Sequence, residues 1–429
     1  MMIPQVKAII GSLLTLAACL SLATSCLAGP LRVSPNGRYF IDAATGKPFF
    51  WLGNTQWAIF RGFTVDEARL TVDSIKNKGF TVLATMLAGG PVATVPNSEG
   101  QTIWLNNDPS TPNEEYFKRV DAIVSYAAQQ GLIVRIGMLH NSQLPYMANG
   151  RGRAYAKFVA TRYKDVPNIV WSLHGNVDNP ALIAMVREMV QAIKEADGGR
   201  HLISQKPDPS PKTSGIIQTE PWLDFTQSQT FKRIDLIYPM VTTDYGRTPP
   251  KPNVMDEGAY EGGTEYGFPV TPLLVRRQAY YSYLSGGFHT YGHNDSWRIL
   301  PTWRASLDAP GAFQVGKARK VFESLPEWWR LHPDQSLLAS GANSDGDVLY
   351  LAARHEVGKW ALVYCADPHT FSVAMDKLSG KARAYWIDPK TGESKPAGAY
   401  INRGTRQFTT PAGWEDSLLL LMAAKRYKK

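Results

Sequence analysis

The sequence predicts an α/β fold, a (β/α)8 TIM barrel, followed by a small all-β sandwich. Three observations carry that expectation. Strand-like apolar runs alternate with helix-like runs between residues 49 and 325, and such alternation makes a parallel sheet. Eight units fit in about 275 residues, the size of a closed eight-stranded barrel. After Leu331-His332-Pro333 the texture changes to short β-like runs split by turn signals such as Ser344-Asp345-Gly346, which reads as a sandwich.

The elements follow in order. Phe49–Leu52 is the first apolar strand, with Gly53-Asn54-Thr55 after it. Thr64 and Glu67 have the spacing of a capping box that opens a helix reaching about Lys78, where Gly79 stops it. Thr81–Leu87 is the second strand. Asn113–Gln130 is a helix with Phe117, Val120, Val124 and Ala127 on one face. Leu132–Leu139 and Ile169–Gly175 are the third and fourth strands, and Pro180–Ala196 is the next helix. His201–Ser204, Leu223–Ser228, Val254–Glu257 and Gly287–Tyr291 complete the eight strands, with helices over Phe231–Asp244, Arg276–Ser285 and Ala312–Ser324. An open doubly wound sheet would want a Gly-rich phosphate turn after the first strand, and "GNTQW" is not one. The sandwich strands are Val348–Ala353, Trp360–Tyr364, Phe371–Met375, Ala382–Ile387 and Ser417–Met422. The domain expectation is therefore a leader over 1–28, a barrel over 29–330 and a β domain over 335–429.

The leader follows from Lys7, the apolar run Ala8 to Ala23 and the small residues up to Ala28, the pattern of an export signal. Leu16-Ala17-Ala18-Cys19 also has the form of a lipoprotein box, so membrane attachment is expected only if Cys19 is lipidated. Cys19 and Cys26 fall inside the leader, which leaves Cys365 and no intrachain disulfide framework. The chain has 429 residues, 44% of them hydrophobic and 19% charged, an ordinary globular composition. Its net charge of +9 is partly the tail Lys425-Arg426-Tyr427-Lys428-Lys429. The other basic residues are scattered, without a nucleic-acid motif, so no nucleic-acid partner is expected. They leave open an attraction to an acidic polymer.

The active site of such a barrel lies at the C-terminal ends of its strands. Those ends offer Asn54 and Trp57; His140; His174, Asn176 and Asp178; Lys206 and Asp208; Gln227; Glu257, Tyr260 and Glu261; Tyr291 and His293. The mixture of amides and aromatics suits hydroxyl-rich ligands, and the expected partner is an oligosaccharide or polysaccharide. His140, His174 and Glu257 could converge on a metal, but no H-E-x-x-H spacing supports it, so no cofactor is expected. No G-x-S-x-G nucleophile elbow is present. Glycoside hydrolysis needs two carboxyl groups, about 5–5.5 Å apart for retention or about 6.5–9.5 Å for inversion. Glu257, at the end of the seventh strand, is the best first carboxylate; the alternative is an ion pair with Arg247 or Arg276. Glu261 is read as supporting Tyr260 or an arginine. The second carboxylate belongs near Asn176.

Four stretches then carry a resemblance: "SPNGRYFIDAATGKPFFWLGNTQW", "IVWSLHGN", "RTPPKPNVMDEGAYEG" and "GGFHTYGHNDSW". Together they resemble the apiosidase-like glycoside hydrolases, barrels with a C-terminal β domain. "YWIDPKTGE" and "FTTPAGWEDSLLLL" are similar to that β domain, which carries a collagen-binding label. The resemblance implies an enzyme that releases apiose from plant pectic side chains; with the leader, the expectation is an exported glycoside hydrolase acting on plant or microbial polysaccharide. The resemblance also implies an Asp where this chain has Asn54, and a catalytic Asp where it has Asn176. An amide can neither donate a proton as a general acid nor attack as a carboxylate. Three readings follow. Asp178 takes over the acid role; another acid such as Glu265, Asp208 or Asp244 serves; or the barrel binds sugar with weakened catalysis.

Overall fold

A computed structural model of the chain describes residues 29–89, 95–174, 180–207, 215 and 217–424. It opens with a three-stranded antiparallel sheet, β1 (Leu31–Val33), β2 (Phe40–Asp42) and β3 (Pro48–Phe49). Phe40 of this sheet packs against Trp51, Phe225 and Phe288, with ring centroids 5.1, 5.3 and 5.6 Å away. Those three residues lie at the N-terminal ends of barrel strands, so the small sheet plugs the floor of the barrel.

The barrel is closed and parallel. Its strands are β4 (Leu52–Thr55), β5 (Val82–Met86), β6 (Ile133–Gly137), β7 (Ile169–His174), β8 (Ile203–Lys206), β9 (Phe225–Gln229), β10 (Asn253–Glu257) and β11 (Phe288–Gly292). β11 returns to pair with β4, Tyr291 beside Asn54. The first strand sits later than the apolar run Phe49–Leu52 suggested. Phe49 pairs with Phe40 in the plug, and Trp51 packs under the barrel, so the ladder passes to Gly53, Asn54 and Thr55, whose backbone hydrogen bonds satisfy a polar sequence in a buried strand.

The Thr64–Glu67 capping box forms, each side chain bonded to the other's backbone N–H, and opens the helix Val65–Asn77. The helix Glu114–Gln129 is capped by Asn113. The helix expected from Phe231 instead begins as a 3-10 turn at Ile234–Leu236 and becomes α only over Ile237–Tyr245. A helix at Arg151–Tyr163, after a 3-10 turn at Asn141–Met147, was not anticipated; its many Arg and Lys residues dilute the apolar stripe. Among the described residues, no helix is long and apolar enough to cross a membrane.

The C-terminal region is antiparallel. Six strands, β12 (Leu331–Pro333), β14 (Tyr350–His355), β15 (Trp360–Cys365), β20 (Ser417–Ala423), β17 (Ala382–Ile387) and β18 (Ser394–Tyr400), form one sheet in that order. β13 (Leu338–Ser340), β16 (Thr370–Ala374) and β19 (Thr405–Thr409) form the other. Val363, Phe371, Val373, Phe408 and Leu421 fill the space between them. The opposite face of the larger sheet, with Leu351, Leu362, Tyr364 and Leu418, joins the core of the barrel. Arg276 on the helix Pro272–Leu284 forks onto both oxygens of Asp416 at the interface.

Candidate active site

The site is built around an irregularity in β10. Met255 lies opposite Ser228 and Glu257 opposite Gln229, so Asp256 is an extra residue, a β-bulge. Successive residues of a regular strand face opposite sides. Here the bulge turns two successive carboxylates toward one cation. Lys206 Nζ, at the end of β8, bonds to Glu257 Oε2 and lies 3.7 Å from Asp256 Oδ2. Beneath them Arg135 Nη2, from β6, donates to Asp256 Oδ2 at 2.5 Å. Trp57 covers both cations. Lys206 Nζ lies 4.4 Å and the Arg135 guanidinium 5.2 Å from its ring centroid, within cation–π range.

Two positive and two negative groups thus meet out of water. Arg135, Lys206 and Asp256 have fully buried side chains, while Glu257 keeps 13% of its side chain exposed. Glu257 is where this neutral cluster opens to solvent. Burial pushes the Arg135 pKa below its ordinary value, against the opposing pull of Asp256, Glu257 and Tyr260. Tyr260 extends the wall. Its hydroxyl accepts from Trp57 Nε1 at 2.9 Å and its backbone N–H donates to Tyr266 Oη at 3.0 Å. Its ring lies on Gly292, where a Cβ would come within 2.4 Å of Tyr260 Cδ1. Trp297 meets that ring edge-on at 6.3 Å. A carboxylate beside aromatic faces is a chemically suitable seat for a sugar ring.

The family model described as "Apiosidase-like, catalytic domain" matches residues 34–329. The chain belongs to the apiosidase-like glycoside hydrolase family. A second model, "Putative collagen-binding domain of a collagenase", matches residues 332–422. Among solved structures, one described as a glycoside hydrolase is 27% identical with a TM-score of 0.83, covering 92% of this chain and 97% of that one. A family 5 glycoside hydrolase from Bacteroides vulgatus is 26% identical with a TM-score of 0.84, covering 94% and 95%. No curated protein matches the sequence.

Several expected site residues of this apiosidase-like barrel prove to be supports. Glu261 does not orient Tyr260 or an arginine. Its Oε2 accepts from the Tyr291 hydroxyl at 2.5 Å and its Oε1 from Gly311 N–H at 3.0 Å. Burial raises the Glu261 pKa, and those two bonds work against the rise. Tyr291 is buried with it, its ring 5.7 Å from Phe80, so it belongs to the wall between β11 and the helix Pro310–Glu323 and does not line the cleft. Asn54 sits beside Tyr291 in register, and a parallel ladder keeps such pairs on one face. It is buried there, accepting from Gln56 Nε2 at 2.9 Å. Gln227 is also fully buried, one layer below the mouth, and accepts from Ser172 Oγ at 2.7 Å. His140 Nδ1 and His293 Nδ1 accept the Ser142 and Asp295 N–H groups, capping the short turns that follow them. Burial lowers the His293 pKa.

Glu257 pairs with neither Arg247, which holds Asp244 at 2.9 Å, nor Arg276, which holds Asp416. The substitute acids divide. Asp244 bonds Asn253 Nδ2 at 3.1 Å, at the end of β10 opposite Glu257, and so is not an acid for this site. Glu265 is paired with Arg298 at 2.9 Å. Asn176, Asp178 and Asp208 lie outside the described residues, as does the side chain of His174. No group of three or more metal-ligating side chains occurs among the described residues. Arg135 and Asp256 were missed as site residues. The available signal was the lone charge of Arg135 inside the apolar run "IVRIG" and a second acid, Asp256, directly before Glu257 in "VMDE"; a buried charge needs a partner.

Proposed function

We propose that the protein is an exported glycoside hydrolase that cleaves a glycosidic bond in plant or microbial polysaccharide, with Glu257 as its nucleophile or base. The observation that carries this is the partial exposure of Glu257 at the end of the seventh barrel strand, above partners that are wholly buried. A carboxylate held by an ammonium at a strand end is fixed in place for attack or proton acceptance. Asp178 is the proposed acid, with Asn176, Trp57 and Tyr260 beside the sugar. Membership in the apiosidase-like family supports the reaction class.

A panel of defined plant oligosaccharides tests the assignment. Glu257→Gln is expected to lower kcat about 10²–10⁴-fold with the fold intact by circular dichroism. Unchanged turnover would remove Glu257 from its role. Asn176→Asp sorts the second position: a rise in rate marks Asn176 as a disabled acid, a fall marks it as part of a rebuilt site. A second reading, a sugar-binding barrel with weakened catalysis, is favoured by the amide at 176. It predicts saturable binding across the panel with no hydrolysis. Export rests on residues 1–28, and cell fractionation with Cys19→Ser separates soluble from lipid-anchored product.

A further inference from the structure

A groove of about 480 Å³ runs between the last barrel helix and the C-terminal sheet, away from Glu257. The helix Pro310–Glu323 contributes Lys317 and Lys320 to one wall. β17 and the turn into β18 contribute Tyr385, Thr391 and Ser394 to the other, and Leu420 to the floor comes from β20. The turn is seated on the lysine itself: a Cβ on Gly392, at φ +78, would lie 3.6 Å from the Lys317 stem.

The charges in the groove are uncompensated. Among the described residues, Lys317 and Lys320 have no carboxylate partner. Of the nearby acids, Glu323 pairs with Arg319 at 2.9 Å and Glu415 with Lys390 and Arg276, each at 3.4 Å, while Asp388 and Glu393 in the turn form no ion pair with either lysine. No acidic side chain lines the walls. The volume falls within the range of about 300–1,000 Å³ usual for ligand sites.

We propose that this groove is a second carbohydrate site, which holds an oligosaccharide bearing carboxylate groups. Two unpaired ammonium groups set one wall for uronate carboxylates. A tyrosine face and two hydroxyls on the other fit a sugar ring and its hydroxyls. A neutral chain would leave both lysines without partners, which is the basis of selectivity. The groove lies on the seam between the two modules, so a polymer held there is tethered to the chain that carries the barrel mouth.

The test uses the full chain carrying Glu257→Gln, so that cleavage cannot consume the probe. Calorimetric titration with hexagalacturonate is compared with titration by neutral maltohexaose. The acidic hexamer is expected to bind more tightly, and the preference to shrink as salt rises. Adding Lys317→Gln and Lys320→Gln is expected to weaken hexagalacturonate about five- to tenfold and leave maltohexaose unchanged. Tyr385→Ala is expected to weaken it by a similar factor. The proposal is overturned if the parent fails to prefer the acidic hexamer, or if the double lysine variant binds it as tightly as the parent, which would locate binding in the barrel mouth. Binding of a triple-helical collagen peptide in place of the uronate overturns it as well.

Discussion

Arg135–Asp256 and Arg276–Asp416 are both arginine–aspartate pairs withdrawn from water, and they are built differently. Arg276 forks onto Asp416, Nε to Oδ2 at 2.9 Å and Nη2 to Oδ1 at 2.7 Å. Gln314 takes its remaining nitrogen, and Tyr364 donates to Asp416 at 2.6 Å. Burial works against the charge of Arg276, yet Asp416, Tyr364 and Glu415 hold its pKa above an ordinary arginine's. Arg135 has one hydrogen bond, to Asp256, and its Nε and Nη1 find no partner among the described residues. Its pKa is lowered by the same burial. A saturated buried network rigidifies a structure, whereas a partly satisfied one is costly and is retained at functional sites. Arg276–Asp416 fastens the β module to the barrel; Arg135–Asp256 underlies the carboxylate proposed to do the chemistry.

The comparison can be broken most directly by removing each arginine. Arg135→Met and Arg276→Met should each cost about 3–5 kcal/mol in urea unfolding, because each takes its closest cation from a buried carboxylate. Their activities should diverge: the folded fraction of Arg276→Met keeps kcat within about twofold, while Arg135→Met loses it, since Asp256 and Glu257 shift together. A large kcat loss in Arg276→Met would end the distinction. Lys206→Met probes the upper layer of the same cluster and is expected to lower kcat about 10²-fold with little change in KM, by misplacing Glu257. Equal falls in substrate affinity and rate would make Lys206 a binding residue instead.

The smallest effect concerns a buried group that avoids charge altogether. His289, in the wall of β11, is pushed down to about 3 by burial, beside Ser282 Oγ at 3.2 Å. The native state refuses a proton that the unfolded chain accepts below its ordinary value of 6.5. The stabilisation is therefore complete above that value and is lost as pH falls toward 3. The slope is about 1.4 kcal/mol per pH unit, or about 2 kcal/mol by pH 5. Urea midpoints at pH 7 and pH 5 should differ less for His289→Gln than for the wild type. Equal differences would show that His289 does not govern this pH range.

Much of the barrel was legible because each strand is an apolar run with a helix signal behind it, and because Thr64–Glu67 and Asn113 are caps that need only local geometry. β18 escaped notice because it is almost wholly exposed and lacks the alternation of a half-buried strand. The plug was invisible for a different reason: Phe40 is an ordinary aromatic until the strands above it close. Glu257 was legible from its place at a strand end. The bulge that aims it was not, since "NVMDE" does not say which residue is the extra one. The wall positions of Asn54, Glu261 and Tyr291 depend on which face of the ladder each occupies, and a shift of one residue in the first strand reverses that assignment.

The plug also orders events in time. Residues 31–49 leave the ribosome before any barrel strand, and domains generally fold from the N-terminus during synthesis. Yet two of the three aromatic partners of Phe40, Phe225 and Phe288, arrive with the sixth and eighth strands, and the seam between β4 and β11 joins residues more than two hundred positions apart. The chain therefore carries its stopper from the beginning and can seat it only at the end. Closing the barrel and sealing its floor become one late cooperative step.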